Sequence, residues 1–501
     1  MNRLLKNTLT SSADTIILIV LSLIATPILI KYFGVEAYGV FLFLSIFTIT
    51  GALSFFDFGM EGALMMHIAR YEAEGLYDKI NNAFLNSIIY YSVIGGTLSL
   101  AINLSSDFII RNMDLVRIDL EQLVFAIQII SINALVQFLI SPFAAVLQGM
   151  HRFTITNGIS SLYNIVQYVT IIIIASWTQR FDLALFGVAC VSLFRLGTYI
   201  YIYFRMPNIK FRFHFDLILF KELWLTSNTL FLNRIIGLIY NQTGKILIWL
   251  KLPIQNMVVY EVSNRPASLV RVLGSMCYSA IIPEVSKLAH GNLFSEIRIL
   301  YIRLLRYMYL LIIPTIVVFS VHASRILDIW LGAEFIQYAS LVQLFMLSSL
   351  LLPLSSLAST LYVGLDKIKE TVWISAVGTI IFVIAGFVLI SANGVMGLVA
   401  GLLISELIMF VLYFKSIKKI INVTGKDLAT HISPIFSLAI VMLALQQVPY
   451  FFKESTLAWL ILVIVLTLIH YVLQLIYFLD QHEITYLKNR IRKVTGDRLV
   501  S

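Results

Sequence analysis

Apolar residues come in long blocks along this chain, not in strict alternation, and the blocks are of membrane-crossing length, about 17 to 25 residues. Fourteen can be read, with cores at 9–30, 39–56, 82–104, 122–146, 154–177, 183–204, 222–250, 256–282, 304–321, 338–362, 371–391, 394–414, 431–447 and 457–479. The breaks at 177–182 and 391–394 are the narrowest, and merging spans across either would change the count. The first block is too long for a cleaved signal peptide, holds Asp14 and Pro27, and lacks a small-residue cleavage site. The pattern predicts an all-α polytopic membrane protein with about 14 transmembrane helices. Composition agrees: of 501 residues 59% are hydrophobic and only 13% charged, against about 25% charged in soluble globular chains. Mean hydropathy is +0.90. No polar stretch is long enough for a separate soluble domain.

Charge placement orients the spans. With the N-terminus cytoplasmic and the spans alternating, the inner segments hold 24 Lys and Arg and the outer loops seven. That bias follows the positive-inside rule, and the opposite orientation would invert it. Both termini are therefore expected in the cytoplasm. The net charge of +9 follows from these loops and calls for no nucleic acid, while the tail "LKNRIRK" (487–493) suits anionic headgroups of membrane lipids.

Five of the 36 basic residues remain inside spans: Arg195, Arg234, Lys245, Arg265 and Arg271. The acids well inside spans are Asp14, Glu261 and Glu406, and Glu61 stands at a span edge. A charge at mid-bilayer costs roughly 2.5–3.5 kcal/mol even on lenient insertion scales, so each needs a partner or a watery cavity. At 100° per residue, positions 234, 241 and 245 fall within about 20°, which puts Arg234, Asn241 and Lys245 on one polar stripe. Glu261 and Arg265 share a face one turn apart, and Pro266 suggests a kink beside them. Each charge has two readings. Arg265 either lines a cavity or is neutralised by Glu261. Lys245 either lines it or extends to headgroups, and Arg195 either lines it or pairs with Asp14 or Glu406. Arg234 is mid-span with no acid on its own helix. Five bases against three acids make such a cavity positive, which attracts phosphate, and arginine holds phosphate through a planar fork.

The chain also repeats itself. "ARYEAEGLYDKI" (69–80) aligns with "SKLAHGNLFSEI" (286–297) at an offset of 217, and "PFAAVLQGMHRF" (142–153) with "LASTLYVGLDKI" (357–368) at 215, matching Gly149 to Gly364. "KYFGVEAY" (31–38) has a looser echo in "KLPIQNMVVY" (251–260). Six spans separate the members of each pair, so the halves have the same orientation. Two parallel six-helix lobes with a site between them are a known transporter plan. The expected division is an N-terminal lobe at 1–205, a cytoplasmic linker at 206–221, a second lobe at 222–415, and an extra helix pair with a basic tail at 416–501.

"KYFGVEAYGVFLFL", "DFGMEGAL", "LQGMHRFTITNGI" and "VVYEVSNRPASLV…IIPEVSKLAHGN", in this order, give a chain that resembles polysaccharide flippases (Wzx-type) of the MOP superfamily. That superfamily also holds multidrug MATE exporters and peptidoglycan-precursor (lipid II) flippases. The resemblance covers about residues 8–415. It implies twelve core helices in two lobes around a central cavity, alternating access, and a cargo of oligosaccharide repeat units on undecaprenyl pyrophosphate. It places the protein in the bacterial cytoplasmic membrane, beside polysaccharide polymerase and chain-length proteins, for assembly of O-antigen or a similar surface polysaccharide. The pair at 431–479 departs from the common pattern; in peptidoglycan-precursor flippases the extra pair forms a lipid groove, which keeps that alternative open.

Enzyme signatures are missing. There is no Walker-type loop, Cys190 and Cys277 both sit in spans without disulfide or metal spacing, and the eight histidines are scattered. No cofactor, metal or catalytic residue is expected. The outer loop at about 105–121 is too short for the catalytic domain of an extracytoplasmic transferase. A cation-exporting MATE-like protein should prefer acids in its cavity, contrary to the count here. Without a nucleotide site, directional transport would draw on product removal or on a proton or sodium gradient. Asp14, Glu61 and Glu406 are the acids placed to bind such an ion, unless they only pair with Arg195 or cap helices.

Overall fold

The structure, a computed structural model, describes residues 2–48, 51–111, 113, 118–206, 215–278, 281–448 and 455–478. The basic tail at 487–493 and positions 207–214 of the linker lie outside the described residues. Every regular element among the described residues is a helix. Ten of them are long and apolar enough to cross a membrane by length and composition.

Helix α1 (Asn2–Leu44) contains Pro27 and is interrupted at Gly34, which has φ 80° and ψ 166°. Only glycine takes that backbone without strain, so the first two spans part inside "KYFGVEAY". The second span then departs from the expected 39–56. Its helix stops at Leu44, a 3-10 turn covers Ala52–Asp57, and a new helix, α2 (Met60–Ala73), occupies residues expected in a loop. Gly51, Phe58 and Gly59 cause the break. A Cβ on Gly51 would lie 2.3 Å from the Ile46 carbonyl oxygen, and both Phe58 and Gly59 have positive φ. Irregular backbone survives at membrane depth only where its polar groups are satisfied by protein or water. Here α3 (Tyr77–Leu104) and α8 (Leu217–Lys251) do so. Tyr90 Oη donates to the Phe56 carbonyl (3.0 Å), Ser227 Oγ to the Phe58 carbonyl (2.7 Å), and the Tyr91 hydroxyl to the fully buried Asp57 carboxylate. Phe231 of α8 closes the apolar side of the break, with ring centres 4.8 Å from Phe58 and 5.6 Å from Phe55.

The remaining elements run α4 (Ser106–Arg111), α5 (Leu120–Gly149), α6 (Phe153–Thr178), α7 (Phe181–Phe204), α9 (Gln255–Tyr278), α10 (Ile282–His290), α11 (Phe294–Val321), α12 (Ala323–Leu331), α13 (Ala339–Gly364), α14 (Ile368–Ile421), α15 (Gly425–Leu445) and α16 (Thr456–Phe478). The narrow break near 177–182 is real: α6 ends on Gln179, which has φ 54°. The 54 residues of α14 would reach about 80 Å at 1.5 Å per residue, far more than one crossing. Non-helical Asn393 and Gly394 divide it at the other narrow break. The helix of α9 continues through Pro266.

The repeat reappears in local geometry. Gly75 and Asn292, 217 positions apart, both have positive φ in the turns into α3 and α11, and so do His151 and Asp366 in the turns after α5 and α13. A Cβ on Gly149 would sit 2.8 Å from Cβ of Ile68, and one on Gly364 would sit 2.8 Å from Cβ of Val285. The end of α5 thus presses onto the short helix α2, and the end of α13 onto the short helix α10, and the small residue permits each approach.

Contacts group the chain into two compact units, Met1–Val272 with Lys367–Val411, and Leu273–Asp366 with Leu412–Ser501. These boundaries differ from the lobes read from the repeat, because a repeat records sequence similarity and a unit records packing. In the first unit the interior is centred on α5, which packs against α3, α7 and α2, while α1 lies on α6. The first half of α14 packs onto α8, where the Tyr240 and Phe382 ring centres lie 5.4 Å apart. In the second unit α11 packs against α13, α15 and α16, and a capping box on Thr424 and Asp427 starts α15.

Candidate functional site

Two polar chambers lie inside the first unit. Facing stripes of α5 and α6 build both. On α5 the stripe is Asn133, Gln137, Ser141 and Gln148, and on α6 it is Thr156, Ser160, Asn164 and Gln167. Spacings of three, four and seven keep such residues on one helix face, so the wall is laid down by periodicity. From Thr156 to Gln167 the stripe rises about 16 Å.

The first chamber has a volume of about 400 Å³ and is closed by α1, α7, α8 and α9. Among the described residues three bases line it, Arg195, Lys245 and Arg265, and no acid does. Arg265, on α9, reaches α1, where its guanidinium donates to the Ser22 carbonyl and to Tyr38 Oη at 3.0 Å. Glu261 does not neutralise it as the one-turn spacing suggested. The Glu261 carboxylate takes the ammonium of Lys245 instead, with side chains 17% and 21% exposed. A partner on the facing helix has won over the neighbour on the same helix. Lys245 is therefore the direct partner of Glu261, whereas Arg265 bonds neutral oxygens and acts on the same carboxylate only at longer range.

The second chamber, about 430 Å³, lies toward the Phe153 end of α6. Arg195 and Gln137 line both chambers and form their common wall. Arg195 donates to Ser160 Oγ at 2.9 Å and lies over the Tyr199 ring. Glu61 lines this second chamber. Five buried polar atoms around the two chambers have no hydrogen-bond partner among the described residues: Asn133 Oδ1, Gln242 Oε1, Arg195 Nε, Thr156 Oγ1 and Tyr199 Oη. Such atoms are costly in a dry interior, about 1–3 kcal/mol each, and mark places where water or a ligand belongs.

The other expected site residues fall elsewhere. Asn241 is exposed, and its neighbour Gln242 lines the chamber in its place. Arg271 folds back on its own helix, donating to Asn264 Oδ1 (2.8 Å) and Ser268 Oγ (2.7 Å), and lines neither chamber. Glu406 is buried and accepts from Tyr240 Oη at 3.3 Å. Arg234 and Asp14 lie on α8 and α1, but their side chains fall outside the described residues. A search for charges alone missed the uncharged stripes of α5 and α6. Their period of about four was the available signal. Among the described residues no cluster of His, Cys, Asp and Glu could hold a metal ion.

Comparison with solved structures places the fold. Over 93% of this chain and 98% of the other, it is similar to the lipid II flippase MurJ in an inward closed conformation, with a TM-score of 0.72 at 16% identity. An inward-facing multidrug resistance MATE family transporter of the MOP superfamily follows at a TM-score of 0.65 and 14% identity, covering 80% of this chain and 94% of that one. A MOP superfamily transporter from Pyrococcus furiosus gives 0.57 at 14% identity, covering 83% and 96%. A comparison with curated proteins gives no match. The protein is thus a multi-pass membrane protein with the fold of these flippases and transporters. Residues 4–289 match the family described as polysaccharide biosynthesis protein, and the chain belongs to that family.

Proposed function

We propose that the protein translocates oligosaccharide repeat units linked to undecaprenyl pyrophosphate across the bacterial cytoplasmic membrane, by alternating access of two six-helix lobes, for surface polysaccharide assembly. The observation that carries this reading is the first chamber, whose lining among the described residues has three bases and no acid. An anion is attracted into such a low-dielectric recess, and a cationic drug is repelled. Arg265 is the principal phosphate ligand, because its hydrogen bonds go to neutral oxygens and Glu261 pairs directly with Lys245 instead. Arg195 supports it from the far wall, and Lys245 contributes less because Glu261 holds it. Arg234 extends the same face of α8 by periodicity. Membership of a polysaccharide biosynthesis family supports the sugar cargo. Coupling to a proton or sodium gradient, if transport is driven, falls to Glu61 and Glu406, the described acids at the second chamber and at α8.

The test is reconstitution in liposomes with a fluorescent undecaprenyl-pyrophosphate oligosaccharide, reading the fraction that reaches the outer leaflet. Transfer that depends on the protein and collapses with Arg265→Gln is expected; equal transfer with empty liposomes sinks the reading. A second reading, transport of the peptidoglycan precursor, is favoured by one observation: the MurJ match extends over 93% of the chain, enough to take in part of α15 and α16. Rescue of a strain depleted of its lipid II flippase, with no rescue of a strain lacking its polysaccharide flippase, would decide for that reading.

A further inference from the structure

The second chamber differs from the first in chemistry. Its wall is built from hydroxyls and amides: Ser141, Gln148, Thr156, Ser160, Tyr199 and the shared Gln137. Its two charges, Glu61 and Arg195, are of opposite sign, so it has no net attraction for phosphate. Thr156 and Tyr199 are 3% and 1% exposed, and their hydroxyl oxygens have no hydrogen-bond partner among the described residues. An unsatisfied hydroxyl is costly to keep in a buried place unless something polar arrives there. A wall of neutral donors and acceptors fits a polyhydroxylated, uncharged molecule better than it fits an anion or a metal ion.

We propose that this chamber is the sugar subsite of the cargo. The pyrophosphate lies in the first chamber, the phosphate–sugar junction passes Arg195 and Gln137, and the first one or two sugars hydrogen-bond Thr156 Oγ1 and Tyr199 Oη. This assignment rests on the flippase reading above, and it adds where the sugar sits and which residues discriminate it. The order of the chambers follows from Arg195 and Gln137 lining both. Arg195 Nε, also unpartnered, is placed at that junction. A neutral or N-acetylated sugar suits the wall, whereas an acidic sugar would bring its carboxylate against Glu61.

The experiment uses the full chain in lipid nanodiscs, with two probes in competition: undecaprenyl pyrophosphate, and undecaprenyl pyrophosphate carrying one N-acetylglucosamine. Native mass spectrometry reads the ratio bound. Wild type should prefer the sugar-bearing lipid. Thr156→Val and Tyr199→Phe remove one hydroxyl each with little change in shape, and each should lower that preference by about three- to tenfold. Neither should alter affinity for the sugarless lipid, and neither should lower the thermal midpoint, since the lost hydroxyls bond nothing among the described residues. Arg265→Gln should weaken both lipids alike and leave the preference intact. Equal binding of the two lipids by wild type overturns the sugar subsite, as does a preference that survives in the Thr156→Val/Tyr199→Phe double variant; in both cases the flippase reading stands. Failure of both lipids to bind removes the flippase reading, and the subsite with it.

Discussion

The Lys245–Glu261 pair allows the sharpest test of how charge is distributed in the first chamber. Lys245→Gln leaves the Glu261 carboxylate, only 17% exposed, without its partner. Breaking a fully buried pair costs about 3–5 kcal/mol. A wall facing a hydrated chamber should feel less, about 1–3 kcal/mol, because water screens the orphan charge. The same substitution changes the chamber's charge by one unit toward negative and should weaken binding of undecaprenyl pyrophosphate about tenfold. Glu261→Gln costs similar stability but frees the ammonium and should tighten binding. The Lys245→Gln/Glu261→Gln double variant removes one charge of each sign. It should recover most of the thermal midpoint and bind within about threefold of wild type, since Arg265 and Arg195 are untouched. Thermal unfolding in detergent and lipid binding in nanodiscs read the two arms of this cycle. If the stability losses simply add, the pair does not exist as described. If the double variant loses binding as Lys245→Gln does, Lys245 grips the cargo directly and the leading role of Arg265 is wrong.

Arg265→Gln removes a charged hydrogen-bond donor, and a bond to a charged group is worth about 1.5–3 kcal/mol, so export activity should fall roughly ten- to a hundredfold at normal protein levels. Arg265→Lys should recover only part of it, since the fork that reaches both Ser22 and Tyr38 is gone; wild-type export from Arg265→Gln refutes the phosphate role. Gly149→Ala and Gly364→Ala each force a Cβ to within 2.8 Å of another side-chain carbon, and each should destabilise by about 1–3 kcal/mol in thermal unfolding; tolerance of both would show that the close helix approaches are not needed. In a cysteine-free background, Asp107→Cys and Ala333→Cys should react with an impermeant thiol reagent added to intact cells, while Glu74→Cys and Lys426→Cys should not. Labelling at position 74 would overturn the cytoplasmic placement of the N-terminus.

Solvent and class were legible in the residues, because a bilayer imposes a length and a polarity on every crossing segment and few other folds share them. The repeat was legible too, since Gly75, Gly149 and their counterparts Asn292 and Gly364 sit at backbone positions that few residues tolerate. Charges that required company could be picked out by subtraction, and Arg195, Lys245 and Arg265 do meet at one chamber. Their partners could not be picked out. Periodicity ranks neighbours on one helix, so it offered Glu261 as a partner for Arg265 beside a cavity-lining role; the carboxylate chose Lys245 because α8 and α9 lie side by side, which is a fact of packing. For the same reason Asn241 and Arg271, correctly placed on polar faces, point away from the chambers. The interrupted second span was hidden as well, since "ALSFFDFGM" reads as apolar continuity until Tyr90, Tyr91 and Ser227 from other helices satisfy its freed backbone and Asp57. Sequence sets which groups cannot remain alone in a membrane, whereas tertiary structure decides which group answers each of them, because that depends on distances between helices that local pattern does not encode.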